Sequence, residues 1–500
     1  MPDALLLGVD LGTSAMKTAI FDLDGRCVAE STQRIPLETP GPGLCEVDPR
    51  AYWQALVGCC SELRSGGHPL AQVRALAVAA NAETVLYLDD DFEPVRPGMV
   101  WSDIRSEREA TDLGARFGFD DLARRSGQPQ MIPMWPATKI LWLRRNEPEN
   151  ARRVRWWLQP LDYLLARLTG RVVSDASEYS SSLLLDIGVR AWWGEMLQEL
   201  ELAPRSLPEL LLAGTPLGEP GVDARTELGL APETVVVMGG FDQACTALGA
   251  GNVLPGIVSE STGTSLAVTA TVAAPPASAK TVPCHVHVVP DAYFLCAHNP
   301  SAGSILSWFQ REFAPGLSFS DLDGLADAAP AGSEGLLLLP YFAGSATPYF
   351  DPAARGVFFG LTERHGRGHL VRAILEGVAF ALADLVDAER ALGVQVHELR
   401  SVGGGARSAI WSQIKADVTG APVHTTEAPD HAGALGAAIL AGVGGGLLPS
   451  VEVGAETMVR LALRFEPDAR EVERYAHARK LHRELYPRLE DLFASARAEA

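Results

Sequence analysis

Two short segments, Asp10-Leu11-Gly12-Thr13-Ser14 near the start of the chain and Ser261-Thr262-Gly263-Thr264-Ser265 in its middle, repeat one device. Each follows a strand-like apolar run, Leu5 to Val9 and Gly256 to Ser259, and each leads through Gly-Thr-Ser into another apolar run. Such a turn exposes backbone N–H groups and hydroxyls to an anion, and glycine lets the backbone approach closely. Two such turns in two halves of one chain can clamp the phosphates of a nucleotide from both sides. A chain built this way is expected to form two related lobes around a cleft and to use ATP.

The rest of the chain fits a duplicated plan. Five hundred residues exceed what one core supports. Gly249, Gly251, Pro255 and Gly256 mark the expected boundary, which divides the chain into residues 1–248 and 249–500. Strands are expected at Leu5 to Val9, Thr18 to Phe21, Val73 to Ala79 and Glu83 to Leu88, with helices at Tyr52 to Leu63, Lys139 to Arg145 and Trp156 to Leu168. In the second half come a strand at Val235 to Met238, a turn at Gly239-Gly240 and a helix from Asp242 to Leu248. A long helix follows from about Gly368 to Leu392, then a strand at Leu399 to Val402. This alternation predicts an α/β fold.

Charge and cysteine usage narrow the function. A net charge of −20 argues against nucleic acid or an anionic membrane as partner, while local amides can still bind a small anion. Seven cysteines without a CxxC pair suggest neither a disulfide framework nor a zinc site, and a reducing, cytoplasmic setting fits. The most membrane-like stretch, Ala432 to Leu448, is broken by Gly444-Gly445-Gly446 and reads as a packed helix and loop, not a span.

Asp10 ends the first strand just before its turn. It is expected to hold Mg²⁺, directly or through water, since magnesium takes one or two carboxylates plus phosphate oxygens. Lys17 can neutralise phosphate charge. The plainer alternative is a tight turn in which Asp10 satisfies its own loop amides. Asp242 opens a helix after a strand. It is either an N-cap or a general base kept ionised by the positive helix end, and it is the second candidate carboxylate for the metal. Phosphoryl transfer asks little more of a protein than an in-line oxygen, charge neutralisation and one such base. Gly403-Gly404-Gly405-Ala406-Arg407-Ser408, between a strand and a helix, either admits a flat ring or a phosphate or is a plain turn. Trp101-Ser102-Asp103-Ile104-Arg105, with Asn81-Ala82-Glu83 and Trp135, forms either a polar pocket with aromatic walls or two core tryptophans beside a surface ion pair.

Taken together these segments resemble the FGGY family of carbohydrate kinases over about residues 4 to 490. The match rests on Gly8-Val9-Asp10-Leu11-Gly12-Thr13-Ser14 with Lys17, and on Met134-Trp135-Pro136-Ala137-Thr138-Lys139-Ile140-Leu141-Trp142-Leu143. It rests also on Gly356-Val357-Phe358-Phe359-Gly360-Leu361 with Ala373-Ile374-Leu375-Glu376, and on Gly403-Gly404-Gly405-Ala406 with Trp411, Gln413, Asp417 and Gly420. The resemblance implies two actin-like, ribonuclease-H-like ATPase lobes closing on Mg-ATP, and transfer of the γ-phosphate to a sugar or polyol hydroxyl. It implies Asp242 as base. It puts Asp10, Gly12, Thr13, Ser14, Lys17, Thr262, Gly263 and Thr264 on phosphate and Mg²⁺ loops. Gly303, Gly403, Gly404, Gly405, Ala406 and Ser408 fall near the nucleoside, and Asn81, Ala82, Glu83, Trp101, Asp103, Trp135, Asp242 and Gln243 at the acceptor.

Asp175-Ala176-Ser177 and Leu183-Leu184-Leu185-Asp186 resemble the xylulokinase-like branch, so a ketopentose such as xylulose is the expected acceptor. That branch carries Met-His where this chain reads Ala82-Glu83, and Asp242-Gln243 with Asn81 to Thr84 is similar to glycerol kinases. A kinase of glycerol, a tetritol or an aldonate is therefore an alternative, with Arg105 the cation an aldonate would need. The same fold also serves chaperones and filament proteins, and a non-catalytic sugar or ATP sensor is a further alternative. The resemblance makes a homodimer the plausible assembly.

Overall fold

The computed structural model describes residues 4–276 and 281–498. The chain divides into two units, each assembled from three segments. The first comprises Met1–Val253, Val272–Phe294 and His431–Val459, and the second Leu254–Thr271, Leu295–Asp430 and Arg460–Ala500.

The first unit is built on a six-stranded mixed sheet. Its strands are β1 (Leu5–Leu11), β2 (Ala15–Phe21), β3 (Cys27–Arg34), β4 (Val73–Ala80) and β5 (Val235–Phe241), with Pro216–Gly218 at one edge. The spatial order from the far edge is β3-β2-β1-β4-β5. β1, β2 and β3 form an antiparallel meander, while β4 runs parallel to both β1 and β5. β1, β4 and β5 are almost wholly buried, and their Val/Leu/Ala-rich sequences follow from being covered on both faces.

The second unit repeats the order. The five central strands of its seven-stranded sheet are β6 (Gly256–Thr262), β7 (Leu266–Val272), β8 (Tyr293–Asn299), β9 (Val396–Val402) and β10 (Val423–Thr426), arranged β8-β7-β6-β9-β10, with Leu461–Phe465 antiparallel at the β10 edge. β6 and β7 form an antiparallel hairpin, and β9 runs parallel to both β6 and β10. Numbered from its own first strand and leaving out the edge strands, the five-stranded core of each sheet reads 3-2-1-4-5. The fold is thus α/β with two domains of the ribonuclease-H-like, actin-like type, and the repeated Gly-Thr-Ser segment is the tight turn of the first hairpin in each.

The Ala/Gly-rich segment forms the helix Ala432–Gly444, buried along most of its length, and it packs in the first unit against β1, β4, β5 and the helix Asp242–Gly249. Small residues make that possible: a Cβ on Gly436 would stand 1.9 Å from the Cys245 carbonyl oxygen. Among the described residues no helix is long and apolar enough to cross a membrane, as expected for this segment.

Two local expectations are corrected. Trp156 to Leu168 is not one helix: Trp156–Leu158 is a strand paired antiparallel with Val85–Leu88, and the helix begins at Pro160. Proline suits a first helical position, where its missing N–H has no partner to lose, and Gln159 N donates to Asp162 Oδ2 at 2.8 Å to close that end. Gly239-Gly240 is not a turn. Both lie inside β5, which bulges against β4 between Val237 and Gly240. Gly239 is required there by proximity, since a Cβ would meet the Val78 oxygen at 1.8 Å.

Candidate active site

The parallel register brings distant residues to one edge of the first sheet. Leu11 and Phe241 both pair with Ala80, so Asp10, Asn81 and Asp242 leave the sheet together. Carboxyl ends of parallel strands are where open α/β sheets place ligands. Asp242 is the first residue of its helix, the capping position belongs to Phe241, and no side-chain cap bond forms. The N-cap alternative is therefore not what the structure shows. Asn81 braces the first turn, its Nδ2 donating to the carbonyls of Leu11 at 3.2 Å and Gly12 at 3.3 Å. Trp101 Nε1 donates to Thr13 Oγ1 at 2.7 Å. Ser14 is exposed on that turn, and Lys17 lies opposite Asp10 in the hairpin.

Desolvation dominates the electrostatics of this edge. It pushes the Asp10 carboxyl up to about 6, with Lys17 acting in the opposite direction. Asp242 is raised well above the carboxylate range, first by desolvation and then by the charges of Asp10 and Glu83. Glu83 is raised by burial too, partly offset by Ser181 and Lys139. It stands at φ 69°, and its backbone N–H donates to Gln159 Oε1 at 2.5 Å. Ala82 is buried beside it and Gln243 is half-buried beside Asp242.

Lys139 ties the acceptor-side loops together. It is fully buried, and its Nζ donates to the carbonyls of Glu83 at 3.0 Å, Trp101 at 3.4 Å and Met134 at 2.5 Å. Trp135 is buried, with its Nε1 on the Gln130 carbonyl at 2.8 Å. Asp103 is buried and saturated: its oxygens accept from Cys45 N at 2.8 Å and from Arg105 Nε at 2.8 Å and NH2 at 2.7 Å. Arg105 also pairs with Glu46 at 2.7 Å. This pair braces the loop behind Trp101, and neither member is a loose surface charge.

In the second unit, Ser261 pairs with Val402, so the Thr262 turn and the Gly403 loop share one edge. A cavity of about 760 Å³ opens there, lined by Thr262, Gly263, Thr264, Gly303, Gly404, Gly405 and Ser408 among others. Gly303 N donates to the Gly263 carbonyl at 2.9 Å, seating the helix Gly303–Phe313 on the turn. Ser408 Oγ donates to Asp323 Oδ1 at 2.9 Å. Gly403 and Ala406 are not part of the lining; Gly403 makes the bend at φ 77°, its N–H on the Pro429 carbonyl, and Ala406 is buried. Beneath the turn Lys415 and Glu260, both with no exposed side-chain surface, pair at 2.6 Å. Lys415 Nζ also reaches Thr262 Oγ1 at 2.9 Å, and that hydroxyl donates to Glu260 Oε2 at 2.7 Å.

Sequence reading did not single out the Lys415–Glu260 pair, and it gave Lys139 no role. The available signal was a charged residue set among small or apolar neighbours, as in Ser259-Glu260-Ser261. The charge of Asp10 acts on Asp242, so the two carboxyls lie near one another, and among the described residues no group of three or more His, Cys, Asp or Glu side chains is placed to hold a metal ion by itself. Magnesium completes its shell with water and phosphate oxygens.

The model of the FGGY family of carbohydrate kinases, N-terminal domain, matches residues 5–249, and that of the C-terminal domain matches residues 258–445. The xylulose kinase of Escherichia coli (strain K12) is 35% identical over 98% of this chain and 100% of its own length. That of Bacillus subtilis (strain 168) is 32% identical over 97% of each chain. A crystal structure described as a xyloylose kinase from Brucella ovis superposes with a TM-score of 0.89 at 30% identity, covering 98% of this chain and 100% of that one.

Proposed function

The chain belongs to the FGGY family of carbohydrate kinases and is an enzyme, and from that premise we propose that it transfers the γ-phosphoryl group of ATP to a hydroxyl of a ketopentose such as D-xylulose. The observation that carries this reading is Asp242, a carboxyl at a helix start with no capping bond, beside Asp10 and Glu83. In its carboxylate form Asp242 accepts the proton of the acceptor hydroxyl as that oxygen bonds to the γ-phosphorus; a cation at the site would offset the burial and the neighbouring carboxylates that otherwise raise it. The bond from phosphorus to the β-bridging oxygen breaks, and ADP carries the released electron pair. Mg²⁺, held by Asp10 with Asp242 as second carboxylate, would supply charge neutralisation at the phosphates. Gly12, Thr13, Ser14 and Lys17 form the phosphate turn of the first unit, and Gly263 and Thr264 belong to the corresponding turn of the second. The cavity at Gly404, Gly405 and Ser408 takes the nucleoside. Exclusion of water favours transfer over ATP hydrolysis.

The ketopentose is supported by the xylulose kinase relatives. An aldonate is disfavoured because Arg105, the cation it would need, is already committed to Asp103 and Glu46. The test is ADP release over a panel of sugars, polyols and aldonates, with Asp242→Asn in parallel. Stimulation by ketopentoses is expected, with turnover of the variant lower by about 10²-fold or more and ADP affinity within a few fold. Near-normal turnover of the variant overturns Asp242 as base. A flat panel with intact nucleotide binding favours the sensor.

A further inference from the structure

The cavity in the second unit has two ends of different chemistry. At one end stands the Thr262 turn. Gly405 lies against it, where a Cβ would stand 2.6 Å from Thr262 Cγ2. Ser408 N donates to the Gly405 carbonyl at 3.3 Å, and Ser408 Oγ in turn donates to Asp323 Oδ1 at 2.9 Å. The lining thus runs from Thr262 through Gly405 and Ser408 to Asp323. Asp323 also lines a neighbouring cavity of about 500 Å³, to which neither the Thr262 turn nor Gly404 and Gly405 contributes. Asp323 therefore stands at the end remote from the Thr262 turn.

One helix, Phe319–Asp327, furnishes that far end, held to the interior by Leu322 and Ala326. Phe319 and Asp323, four residues apart, share another face, and both line the cavity. Phe319 is 49% exposed, and its ring meets no other ring among the described residues. Asp323 is half-buried, and its second oxygen, Oδ2, has no hydrogen-bond partner among the described residues. The cations of the lining are engaged with other carboxylates, Arg311 with Glu312 at 2.7 Å and Arg407 with Asp430. An aromatic face with a carboxylate oxygen one helical turn away suits a flat ring that carries an N–H donor on its rim.

We propose that Phe319 carries the base of the bound nucleotide and that Asp323 selects it, accepting a hydrogen bond from the 6-amino group of adenine. A 6-oxo purine would set a carbonyl oxygen against the carboxylate, two acceptors with no proton between them. The phosphoryl donor is then the adenosine triphosphate and not its inosine or guanosine counterpart. This rests on the nucleoside reading of the cavity given above and names the residues that choose the base.

The test is calorimetric titration of the full chain with ADP, IDP and 2′-deoxy-ADP, where IDP carries a 6-oxo group in place of the amino group. Wild type is expected to bind ADP more tightly than IDP by about 10-fold or more. The amide of Asp323→Asn can donate as well as accept, so this variant is expected to bring the ratio to about 3-fold or below, chiefly by strengthening IDP. Phe319→Ala should weaken ADP and IDP together by about 5-fold or more and leave their ratio in place. Ser408→Ala removes the bond to Asp323 but keeps the carboxylate, and the ratio should hold there too. An Asp323 that only braces Ser408 would affect both nucleotides alike, so an unchanged ratio in Asp323→Asn overturns its assignment. Equal binding of ADP and IDP by wild type overturns it without any variant. Discrimination against 2′-deoxy-ADP that disappears in Asp323→Asn, with the ADP-to-IDP ratio intact, puts the carboxylate at the ribose and overturns it as well. Undiminished ADP affinity in Phe319→Ala overturns the stacking role. A wild type that binds no ADP refutes the nucleoside reading of the cavity itself, and with it the ATP-dependent kinase.

Discussion

Replacing Lys415 by Met is the sharpest test of how the second unit holds its Thr262 turn. The ammonium touches Glu260 at 2.6 Å, Thr262 Oγ1 at 2.9 Å and Ser401 Oγ at 3.3 Å, and both charged side chains are wholly buried. Ser401 Oγ also bonds Glu260. Removing one member of such a pair leaves an uncompensated buried charge, at about 3–5 kcal/mol. Replacing both by apolar residues, as in Lys415→Met/Glu260→Leu, removes the charge with its partner and is expected to be close to neutral. The double-mutant cycle should therefore show a coupling of about 3 kcal/mol or more. For a unit of this size each kcal/mol moves the midpoint by about 2–4 °C, so the single variant is expected to melt roughly 10 °C lower. The assay is calorimetry of wild type, both single variants and the double variant, with ADP titrated into each. Because the pair fixes the Thr262 hydroxyl, both single variants and the double variant should bind ADP more weakly even where melting recovers. A loss below about 1 kcal/mol in Lys415→Met, or additive single effects, refutes the argument.

Two further outcomes are expected. In Gly433→Ala the new Cβ would stand 2.7 Å from Asp10 Oδ2, so the carboxylate must move. Steady-state kinetics should show kcat down by about 10-fold or more with ADP affinity unchanged, and a wild-type kcat refutes this. Asp162 is wholly buried and its carboxyl is pushed up to about 7 by burial, against about 3.9 unfolded. The native state thus binds the proton more tightly, and the stability this contributes is present below about pH 4 and lost as pH rises through about 7. Three units correspond to roughly 4 kcal/mol as an order of magnitude. Urea unfolding from pH 5 to pH 8 should show wild type losing stability over this range relative to Asp162→Asn, and parallel curves refute the assignment.

Local pattern carried most of the fold. The duplicated turns, the α/β alternation and the long helix Arg367–Arg390 were legible because period and punctuation are local signals. Trp156 to Leu168 misled because aromatic residues suit a strand or a helix face equally, although Pro160 held the correction. Gly239-Gly240 read as a turn because sequence does not show that a carbonyl of β4 passes beside it. At the site, Asp10, Asn81, Glu83 and Asp242 could be named from their positions at element ends. Lys139 and the Lys415–Glu260 pair could not. Their meaning depends on burial against residues remote in sequence: Glu260 lies far upstream of Lys415, and Lys139 bonds carbonyls from three separate loops.

The helix Ala432–Gly444, packed against β1, β4 and β5, carries a consequence for biosynthesis. The first strands leave the ribosome early, but the element that covers them is translated only after residue 430. At about 5–20 residues per second that interval is on the order of tens of seconds. Throughout it the nascent sheet exposes an apolar groove that no earlier segment fills. Completion of the first unit therefore waits until residues 432–444 are made, and a message truncated before the codon for Ala432 would yield a chain whose first strands never find their cover.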